Sequence, residues 1–371
     1  MPSALVVGAG IFGACIAHRL ALSDWDVTLV ERYTPGHVRA ASGDESRLIR
    51  FAHGAERWYT RSAWRSRDLW AELEREAGTK VFVESGVVWF ARSDDGWESQ
   101  SEQALAAEGV PYERLSPDAA SALFPSFDGD GLAYVLYEPH AGLLRAREAV
   151  RAVVRLARER GVTLRAGEAR PEGARVAVGG DVLDADVVIW ACGAWLPGVF
   201  PDLVRLRITK QDVYYFGATP DWSAPRVPGW VDYEGANYGL ADLDGRGVKV
   251  APDREGPPFD PDRDSRVASA EGETNARAYM ALRFPALRDA PLVGTRTCPY
   301  SLTADTHFVI ALHPEHDRVW LVGGGSGHGF KHGPALAEYV VSLIEGNSVP
   351  DDRFGLEERR PATKLRTAGA T

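Results

Sequence analysis

Residues 4–31 hold the pattern that most restricts how this chain can fold. A short apolar run leads into Gly8-Ala-Gly10-Ile-Phe-Gly13, a segment rich in small residues follows, and a second apolar run ends at Glu31. Gly8 permits a tight turn from strand to helix, Gly10 lets a pyrophosphate approach the main chain, and Gly13 lets the helix lie close to the sheet. The order of strand, glycines, helix, strand and acid therefore predicts a β-α-β unit that binds a dinucleotide.

Both ends of this unit supply groups that would hold the nucleotide. The first helical turn presents main-chain N–H groups and the positive end of the helix dipole to the phosphates. Glu31 lies at the tip of the second strand, where its carboxylate can accept hydrogen bonds from both ribose hydroxyl groups. Such an acid argues against a 2′-phosphorylated cofactor. The predicted nucleotide site in this unit comprises Gly8, Gly10, Ile11, Phe12, Gly13, Glu31 and Arg32.

The length and the charge of the chain exclude several classes of protein. Its 371 residues suffice for two domains, and 45% hydrophobic and 25% charged residues are ordinary for a globular protein. A net charge of -10 with scattered charges argues against nucleic acid or an anionic membrane surface as a partner. No apolar run approaches the length of a membrane span, and no basic residues precede the first apolar run. We therefore predict neither a transmembrane segment nor a signal peptide.

The three cysteines, Cys15, Cys192 and Cys298, lie far apart in the sequence. Their spacing suggests neither a disulfide framework nor a set of metal ligands. We therefore predict no metal and a reducing, cytoplasmic environment, with Cys15 and Cys192 as core residues.

Helical and strand-like patterns alternate along the rest of the chain. Apolar spacing and composition predict helices over about 56–77, 146–160 and 334–344. Aromatic and β-branched runs at 81–83, 86–90 and 212–216 predict antiparallel strands. Buried parallel strands are expected within 184–195, ending in a glycine turn at Gly193 and Trp195, and over 319–322. The stretch 208–288 is predicted to be rich in strands, with an acidic, Pro-rich loop at 255–264 that is solvated.

These alternating blocks indicate two domains that cross over several times. The predicted fold class is α/β with antiparallel β: a Rossmann-type domain and an interleaved substrate domain that is mostly an antiparallel sheet. The predicted nucleotide-binding domain comprises 1–80, 145–205 and 290–350. The predicted substrate domain comprises 81–144 and 206–289, and 351–371 is expected to be a frayed, polar tail.

Five sequence blocks together carry a resemblance to a known family. They are the nucleotide unit itself, Ser46-Arg47-Leu-Ile-Arg50, Tyr238-Gly-Leu with Gly247-Val-Lys249, Cys298-Pro-Tyr300 with Asp305-Thr-His307-Phe308, and Gly327-His328-Gly329-Phe330-Lys331. In this order the chain resembles the D-amino-acid-oxidase-like flavoproteins, most of all the branch of monomeric sarcosine oxidase and N-methyltryptophan oxidase. The resemblance implies FAD, oxidation of a small amine or amino acid by molecular oxygen, hydrogen peroxide as a product, and a monomer.

Four charged residues have chemistry that suits such a site. A guanidinium fork suits a carboxylate, and the resemblance assigns substrate carboxylate binding to Arg50 and a place beside the flavin to Arg47. Lys331 follows a glycine-rich loop that can approach an anion, and the family pairs this lysine with the same carboxylate. Lys249 is an unusual cation in an apolar strand. The family places a lysine there over the flavin, where its charge stabilises superoxide as the reduced flavin meets oxygen. An outward-facing strand lysine is the alternative.

Further cofactor contacts follow from the same resemblance. Cys298 aligns with the cysteine to which this branch attaches FAD as a thioether, although a small buried thiol is also common in protein cores. Tyr238 is a candidate to contact substrate. The remaining predicted cofactor contacts are Ser42, Ser46, Gly193, Trp195, Gly325, Gly327, His328 and Gly329, in addition to Arg47 and Lys331.

The chain departs from the sarcosine oxidases at two positions near flavin or substrate. Gly43 and Asp253 stand where those enzymes have histidines, which makes sarcosine itself doubtful as the substrate. The predicted reaction is oxidation of the C–N bond of a carboxylate-bearing, secondary or N-alkylated amine to an imine. Two alternatives stay open: a dehydrogenase that passes electrons to a quinone or partner protein, and a partner-dependent flavin-binding subunit. A nicotinamide-dependent monooxygenase is disfavoured because no second Gly-x-Gly-x-x-Gly follows a later strand.

Overall fold

The computed structural model describes residues 1–361 of the chain. Its helices are α1 Ile11–Leu22, α2 Arg57–Ala77, α3 Trp97–Ala107, α4 Pro117–Ala120, α5 Ala146–Glu159, α6 Leu196–Val199, α7 Ala270–Arg283 and α8 Gly333–Ile344. Its strands are β1 Ser3–Val7, β2 Asp26–Glu31, β3 Ser46–Ile49, β4 Phe82–Glu84, β5 Val87–Ala91, β6 Glu113–Leu115, β7 Tyr134–Glu138, β8 Gly142–Arg145, β9 Thr163–Ala166, β10 Ala169–Glu172, β11 Arg175–Val178, β12 Asp181–Leu183, β13 Val187–Trp190, β14 Arg207–Phe216, β15 Gly229–Asp232, β16 Asn237–Leu240, β17 Val248–Pro252, β18 Leu292–Leu302, β19 Val309–His313 and β20 His316–Gly323.

A six-stranded sheet in the order β19-β20-β13-β1-β2-β9 forms the nucleotide-binding half. β1 pairs in parallel with β2 and β13, and β13 pairs in parallel with β20. Side chains of β1 alternate between two cores: Ala4 and Val6 join the cluster that includes α1, α5 and α8, whereas Leu5 and Val7 join the cluster of the β10–β12 meander. A central strand buried on both faces explains the continuous apolar run in the sequence.

An eight-stranded sheet in the order β18-β14-β17-β16-β15-β5-β7-β6 forms the second half. Its pairs are antiparallel except for β15 with β5. The strands come from two separate stretches of the chain, 87–138 and 207–302, with strands of the first sheet between them. The predicted fold class, a Rossmann-type unit with an interleaved and mostly antiparallel sheet, is thus confirmed.

One strand lies on the other side of a predicted domain boundary. β18 was expected in the nucleotide-binding domain, but it pairs with β14 from Arg207↔Leu302 to Phe216↔Leu292 in the eight-stranded sheet. The long antiparallel ladder with β14 pairs the backbone N–H and C=O groups of β18. The six-stranded sheet, by contrast, has β19 as its edge strand and does not include β18. The other boundaries between the two predicted domains remain predictions.

The helices show where local sequence patterns succeed and fail. Helices predicted over 56–77, 146–160 and 334–344 are present as α2, α5 and α8. The stretch 208–288 was expected to be strand-rich, but it also contains α7. The Ser269 side chain accepts a hydrogen bond from the Gly272 N–H at the start of this helix, a capping signal that was overlooked. No helix within residues 1–361 combines the length and apolarity needed to cross a membrane.

The beginning of the predicted C-terminal tail packs against the body of the protein. Phe354 is fully buried, and its ring lies 4.8 Å from that of Trp58. The Arg359 guanidinium donates hydrogen bonds to the Asp305 carboxylate and to the main-chain oxygen of Phe308. The expectation of a frayed tail is therefore wrong for 351–361, and the rest of that prediction, 362–371, lies outside the described residues.

Candidate active site

A cavity of about 410 Å³ lies at the carboxyl ends of β1, β2 and β13. Gly8 has a φ of +105°, and a Cβ atom there would lie 2.6 Å from the Ala191 oxygen. A Cβ on Gly13 would lie 1.9 Å from the Gly8 oxygen, so α1 can approach the turn this closely only without a side chain. Both glycines are therefore required by the geometry of the strand-to-helix turn.

Most of the predicted cofactor residues line this cavity. They are Gly8, Gly10, Ile11, Phe12, Glu31, Arg32, Ser42, Arg47, Gly193, Trp195, Gly325, Gly327 and Gly329. Gly13, Ser46, Cys298, His328 and Lys331 are not part of its lining. Cys192, which was interpreted as a core residue, does line the cavity and is only partly buried.

Two side chains hold the glycine turn from outside α1. The Glu31 carboxylate accepts hydrogen bonds from the main-chain N–H groups of Ala9, at 2.7 Å, and Tyr33, at 2.8 Å. The Ser42 hydroxyl accepts a hydrogen bond from the Ile11 N–H at 3.1 Å. The acid and the hydroxyl thus keep the phosphate-facing turn in place and remain at the wall of the cavity.

The acidic loop at 255–264 reaches the mouth of the cavity instead of extending into solvent. The Asp262 carboxylate accepts hydrogen bonds from Trp195 Nε1 at 2.9 Å, the Tyr33 hydroxyl at 2.7 Å and Arg32 Nη1 at 2.8 Å. These donors are 67 or more residues away in sequence, so no local pattern could have revealed the contact. Asp262 therefore fastens this loop over the nucleotide end of the cavity.

A buried aspartate that sequence analysis missed joins two of the predicted catalytic cations. The Asp44 carboxylate accepts hydrogen bonds from Lys249 Nζ at 2.6 Å, from the Tyr215 hydroxyl at 2.9 Å and from the Arg47 guanidinium. Burial would raise the pKa of Asp44, but the charges of Lys249 and Arg47 outweigh burial and hold this pKa well below its usual value. Its position two residues before Ser46, just ahead of the arginine block, was the available signal.

Lys249 lies on β17 with only 1% of its surface exposed. Besides Asp44, its ammonium group donates to the Ser46 main-chain oxygen at 3.1 Å and lies 5.9 Å from the ring centres of both Tyr215 and Tyr238. Burial lowers the pKa of Lys249, and the Asp44 carboxylate offsets part of this effect. The ammonium group is therefore inward-facing, which removes the alternative of an exposed strand lysine.

Cys298 lies beside the same cluster on β18. Its Sγ atom is 3.5 Å from Arg47 Nη2, and the next two residues, Pro299 and Tyr300, line the cavity. Burial raises the pKa of the Cys298 thiol, while the positive charges of Arg47 and Lys249 oppose that shift. The thiol is thus adjacent to the cavity and close to two cations.

Arg50 follows β3 and is held by a second buried acid. Its guanidinium donates to the Ala52 oxygen at 2.8 Å and lies 4.7 Å from the ring of Trp89. The fully buried Glu138 carboxylate accepts from Trp89 Nε1 at 2.6 Å and from the Phe51 N–H at 2.6 Å. Glu138 therefore fixes both the backbone after Arg50 and the ring beneath it, although no sequence motif pointed to it.

Burial lowers the pKa of Arg50 to about 10, although the charges of Asp253 and Glu138 favour its charged form. This differs from Arg47, whose pKa is raised because the combined attraction of Asp44, Cys298 and the neighbouring tyrosines exceeds the cost of burial. The neighbouring acids thus leave the charge of the half-buried Arg50 only partly compensated. An anion that bound there would lower the electrostatic cost of keeping this arginine charged.

Lys331 lies in a short helical turn, 330–332, that contacts β3. Its side chain is buried, and Nζ donates to the main-chain oxygen of His328 at 2.9 Å. Trp70 Nε1 on α2 donates to the Lys331 oxygen at 3.0 Å and anchors the turn. The strand that precedes Arg50 and the turn that carries Lys331 are therefore neighbours.

A family model described as DAO, FAD dependent oxidoreductase, matches residues 3–343 of the chain. The chain belongs to this family. The monomeric sarcosine oxidase of Streptomyces avermitilis is 32% identical over 91% of this chain and 92% of its own length. That of Bacillus sp. (strain B-0618) is 28% identical over 97% and 96%. The fold is also that of L-proline dehydrogenase from P. horikoshii, with a TM-score of 0.85, 20% identity and coverage of 95% and 96% of the two chains.

The residues at the cavity fit the FAD that defines this family. The turn at Gly8 and Gly10 and the start of α1 offer main-chain N–H groups for a pyrophosphate, and the Glu31 carboxylate lies where a ribose would bind. At the other end of the cavity, the glycine-rich loop 323–329 lets the main chain approach a planar ring closely. The chain is thus an FAD-dependent oxidoreductase related to the sarcosine oxidases.

The two departures from the sarcosine oxidases of this family have different structural settings. A Cβ atom on Gly43 would lie 1.9 Å from the His37 oxygen, so the loop conformation there excludes any side chain. Asp253 follows β17, and its carboxylate is an electrostatic neighbour of Arg50 and of the tyrosines Tyr238 and Tyr300. Asp253 therefore changes the charge around the arginine, whereas Gly43 changes the shape of a loop.

Proposed function

We propose that this chain oxidises the C–N bond of an amine that carries a carboxylate, most readily a secondary or N-alkylated one, to an imine. Molecular oxygen is the second substrate and hydrogen peroxide the second product, and the protein acts as a cytoplasmic monomer. The observation that carries the substrate class is the half-buried Arg50 guanidinium, which lies over the Trp89 ring and whose charge the neighbouring acids compensate only in part. A substrate carboxylate would supply the missing negative charge.

Lys331 would bind the same substrate carboxylate from the helical turn 330–332, whereas Arg50 would bind it from the end of β3. Its ammonium group is buried, and the turn that carries it contacts the strand preceding Arg50. Two cations favour an amino acid over a plain amine, because each adds a charged hydrogen bond that a plain amine could not form. Asp253, near Arg50, is suited to pair with the amino group of the substrate and to orient it.

FAD, when bound, supplies a two-electron acceptor that oxygen can regenerate. The protein then has to align the C–H bond next to nitrogen and to exclude water, rather than provide a strong base. Lys249 would hold a positive charge near the site of oxygen reduction, with Asp44 keeping it protonated. Tyr238, whose ring lies next to Lys249, would line the substrate space.

We also propose that Cys298 forms a thioether with the flavin. Its position next to two cavity-lining residues and 3.5 Å from Arg47 supports this assignment. A nearby guanidinium favours the thiolate, the form of cysteine that acts as a nucleophile. The link would keep the cofactor in place during turnover.

Anaerobic reduction of the bound flavin tests the substrate class directly. N-methyl amino acids and cyclic amino acids are compared with the same amines lacking the carboxylate, in the wild type and in Arg50→Gln. The wild type should strongly prefer the carboxylates. The variant should lose about 2–5 kcal/mol of that preference, the typical cost of removing one partner of a buried charge pair.

Three other results would contradict the proposal. Equal reduction by amines with and without a carboxylate would remove Arg50 from substrate recognition. Turnover that responds to an artificial dye or quinone but not to oxygen would make the protein a dehydrogenase. Absence of bleaching with any amine would instead favour a partner-dependent flavin-binding subunit.

A further inference from the structure

Three buried histidines meet around the turn that carries Lys331. His53 lies just beyond β3, and His328 and His332 flank Lys331 in the sequence. Their exposed fractions are 4%, 5% and 0%. One ring nitrogen from each residue lies within 4.8 Å of the other two, and this is the one such group of potential metal ligands found in residues 1–361. Side chains from two distant parts of the chain therefore converge on one interior point.

Main-chain carbonyl groups fix the orientation of two of these rings. His53 Nδ1 lies 2.8 Å from the Phe51 oxygen, and His328 Nε2 lies 2.9 Å from the Thr306 oxygen. A carbonyl oxygen can only accept, so each of these nitrogens carries a proton. In a neutral imidazole the opposite nitrogen then has the lone pair that a metal ion needs. Histidines that bind metals commonly show this N–H to carbonyl support on the far side of the ring.

The third ring completes a spacing that is typical of metal sites. His332 Nδ1 lies 3.0 Å from the hydroxyl of Ser62, a buried residue of α2. His328 and His332 are four residues apart, within the H-x₃₋₅-H spacing seen in zinc proteins. All three rings thus have a hydrogen-bonding partner on one nitrogen.

An aromatic shell surrounds the cluster. The Phe308 ring is stacked on His328 at 4.9 Å and lies 5.5 Å from His332. The Tyr59 ring is stacked on His53 at 5.7 Å. These apolar faces fix the ring planes and limit access of water, both of which strengthen a bond between imidazole and metal.

We propose that His53, His328 and His332 form a site for a transition-metal ion of the Zn²⁺ class. Imidazole is a preferred ligand of Zn²⁺, and three histidines leave a fourth position for water or a small anion. Binding here requires neither turnover nor a particular amine, so it does not depend on the proposed reaction.

Metal binding to the intact flavoprotein tests this site. The full chain, loaded with its flavin and without a polyhistidine tag, is incubated with Zn²⁺, desalted and analysed for zinc per chain. Co²⁺ is used in parallel, because its visible absorption bands report the number of ligands. We expect about one Zn²⁺ per chain and the intense Co²⁺ bands of a four-coordinate site.

Variants separate ligands from supporting groups. Ser62→Ala, which removes an outer contact, should weaken Zn²⁺ binding about tenfold. His332→Ala, which removes a ligand, should weaken it by roughly 100-fold or more. His18→Ala, a buried histidine outside the cluster, is the matched control and should leave binding unchanged.

The wild-type measurement is the first test, and the variants are the second. Absence of stoichiometric Zn²⁺ in the wild-type protein would overturn the proposed site. Equal loss of zinc in His18→Ala and His332→Ala would also overturn it, because binding would then depend on general stability. Octahedral, weak Co²⁺ bands would indicate adventitious surface binding and count against it as well.

Discussion

At the level of single residues, a buried lysine and a half-buried arginine share the carboxylate of Asp44. Arg47 and Lys249 both donate to it, and Tyr215 adds a neutral hydrogen bond. Burial alone lowers the pKa of Lys249, so the carboxylate determines how far the lysine remains protonated. The charge that the proposed oxygen reaction needs therefore depends on the Asp44 carboxylate.

Lys249→Met should slow reoxidation of the reduced flavin by oxygen roughly 100-fold, while flavin reduction by substrate changes little. The two half-reactions are measured separately by stopped-flow absorbance. Lys249→Arg is the control that keeps the charge and should retain most of the oxygen reactivity. Equal slowing of both half-reactions would show that Lys249 has another role.

The same pair predicts a pH dependence. A lysine loses its charge as the pH rises through its pKa, and burial places the pKa of Lys249 below the usual value. Oxygen reactivity of the wild type should therefore fall on the alkaline side. Asp44→Asn removes the group that supports protonation and should move this fall to lower pH. A profile that is unchanged in Asp44→Asn would contradict the coupling.

Cys298→Ser should convert covalently bound flavin into flavin that acid precipitation releases. The serine keeps the size of the side chain but lacks the nucleophilic sulfur. Cys192→Ser is the matched control, because Cys192 also lines the cavity and no bond to the flavin is proposed for it. Colour is measured in the pellet and in the supernatant. Release from the wild type itself would end the proposal of a thioether.

At the level of elements, local patterns predicted what local forces determine. The turn at Gly8, helix α2 and the parallel strand β13 follow from spacing and apolar runs, and all lie where the sequence placed them. By contrast, the pairing of β18 with β14 and the closure by Asp262 depend on partners far along the chain. No periodicity encodes such contacts.

Candidate site residues divide in the same way. The motifs pointed to Arg47 and Lys249, which the structure brings together through Asp44. They did not point to Asp44 or Glu138, whose partners are identified only once the sheets have assembled. The acid Asp44, just ahead of the arginine block, was the one local hint. Supporting groups are therefore harder to predict than the cations they hold.

The loop at 255–264 gives a prediction that belongs to this scale. Asp262→Asn should weaken FAD binding by about 1–3 kcal/mol, because it loosens the hydrogen bonds to Arg32, Tyr33 and Trp195 at the cavity mouth. Titration of apoprotein with FAD, in a Cys298→Ser background, measures the affinity. Asp264→Asn is the control, since that carboxylate accepts from the Asp260 N–H within the loop. Equal FAD affinities with and without Asp262→Asn would mean that the loop does not close the site.

At the scale of the whole molecule, the two sheets meet at the predicted site residues. The nucleotide turn and the glycine loop 323–329 belong to the six-stranded half, whereas Lys249 and Cys298 lie on strands of the eight-stranded sheet. Arg47 lies on β3, in a small separate sheet. It lies 3.5 Å from Cys298 on β18 and is linked to Lys249 on β17 through the Asp44 carboxylate. The interleaved connectivity is therefore what assembles the predicted site.

The C-terminal segment adds a further link across the molecule. Phe354 packs against Trp58 on α2 and against Tyr339 on α8, and it is fully buried. Phe354→Ala should destabilise the protein by about 3–5 kcal/mol, because it leaves a cavity between these helices. Val349→Ala, at a position that is 84% exposed, is the control and should change stability little. The free energy of unfolding of both variants is measured by denaturant titration. Similar small losses of this free energy in the two variants would mean that the segment after 351 lies on the surface without adding to the core.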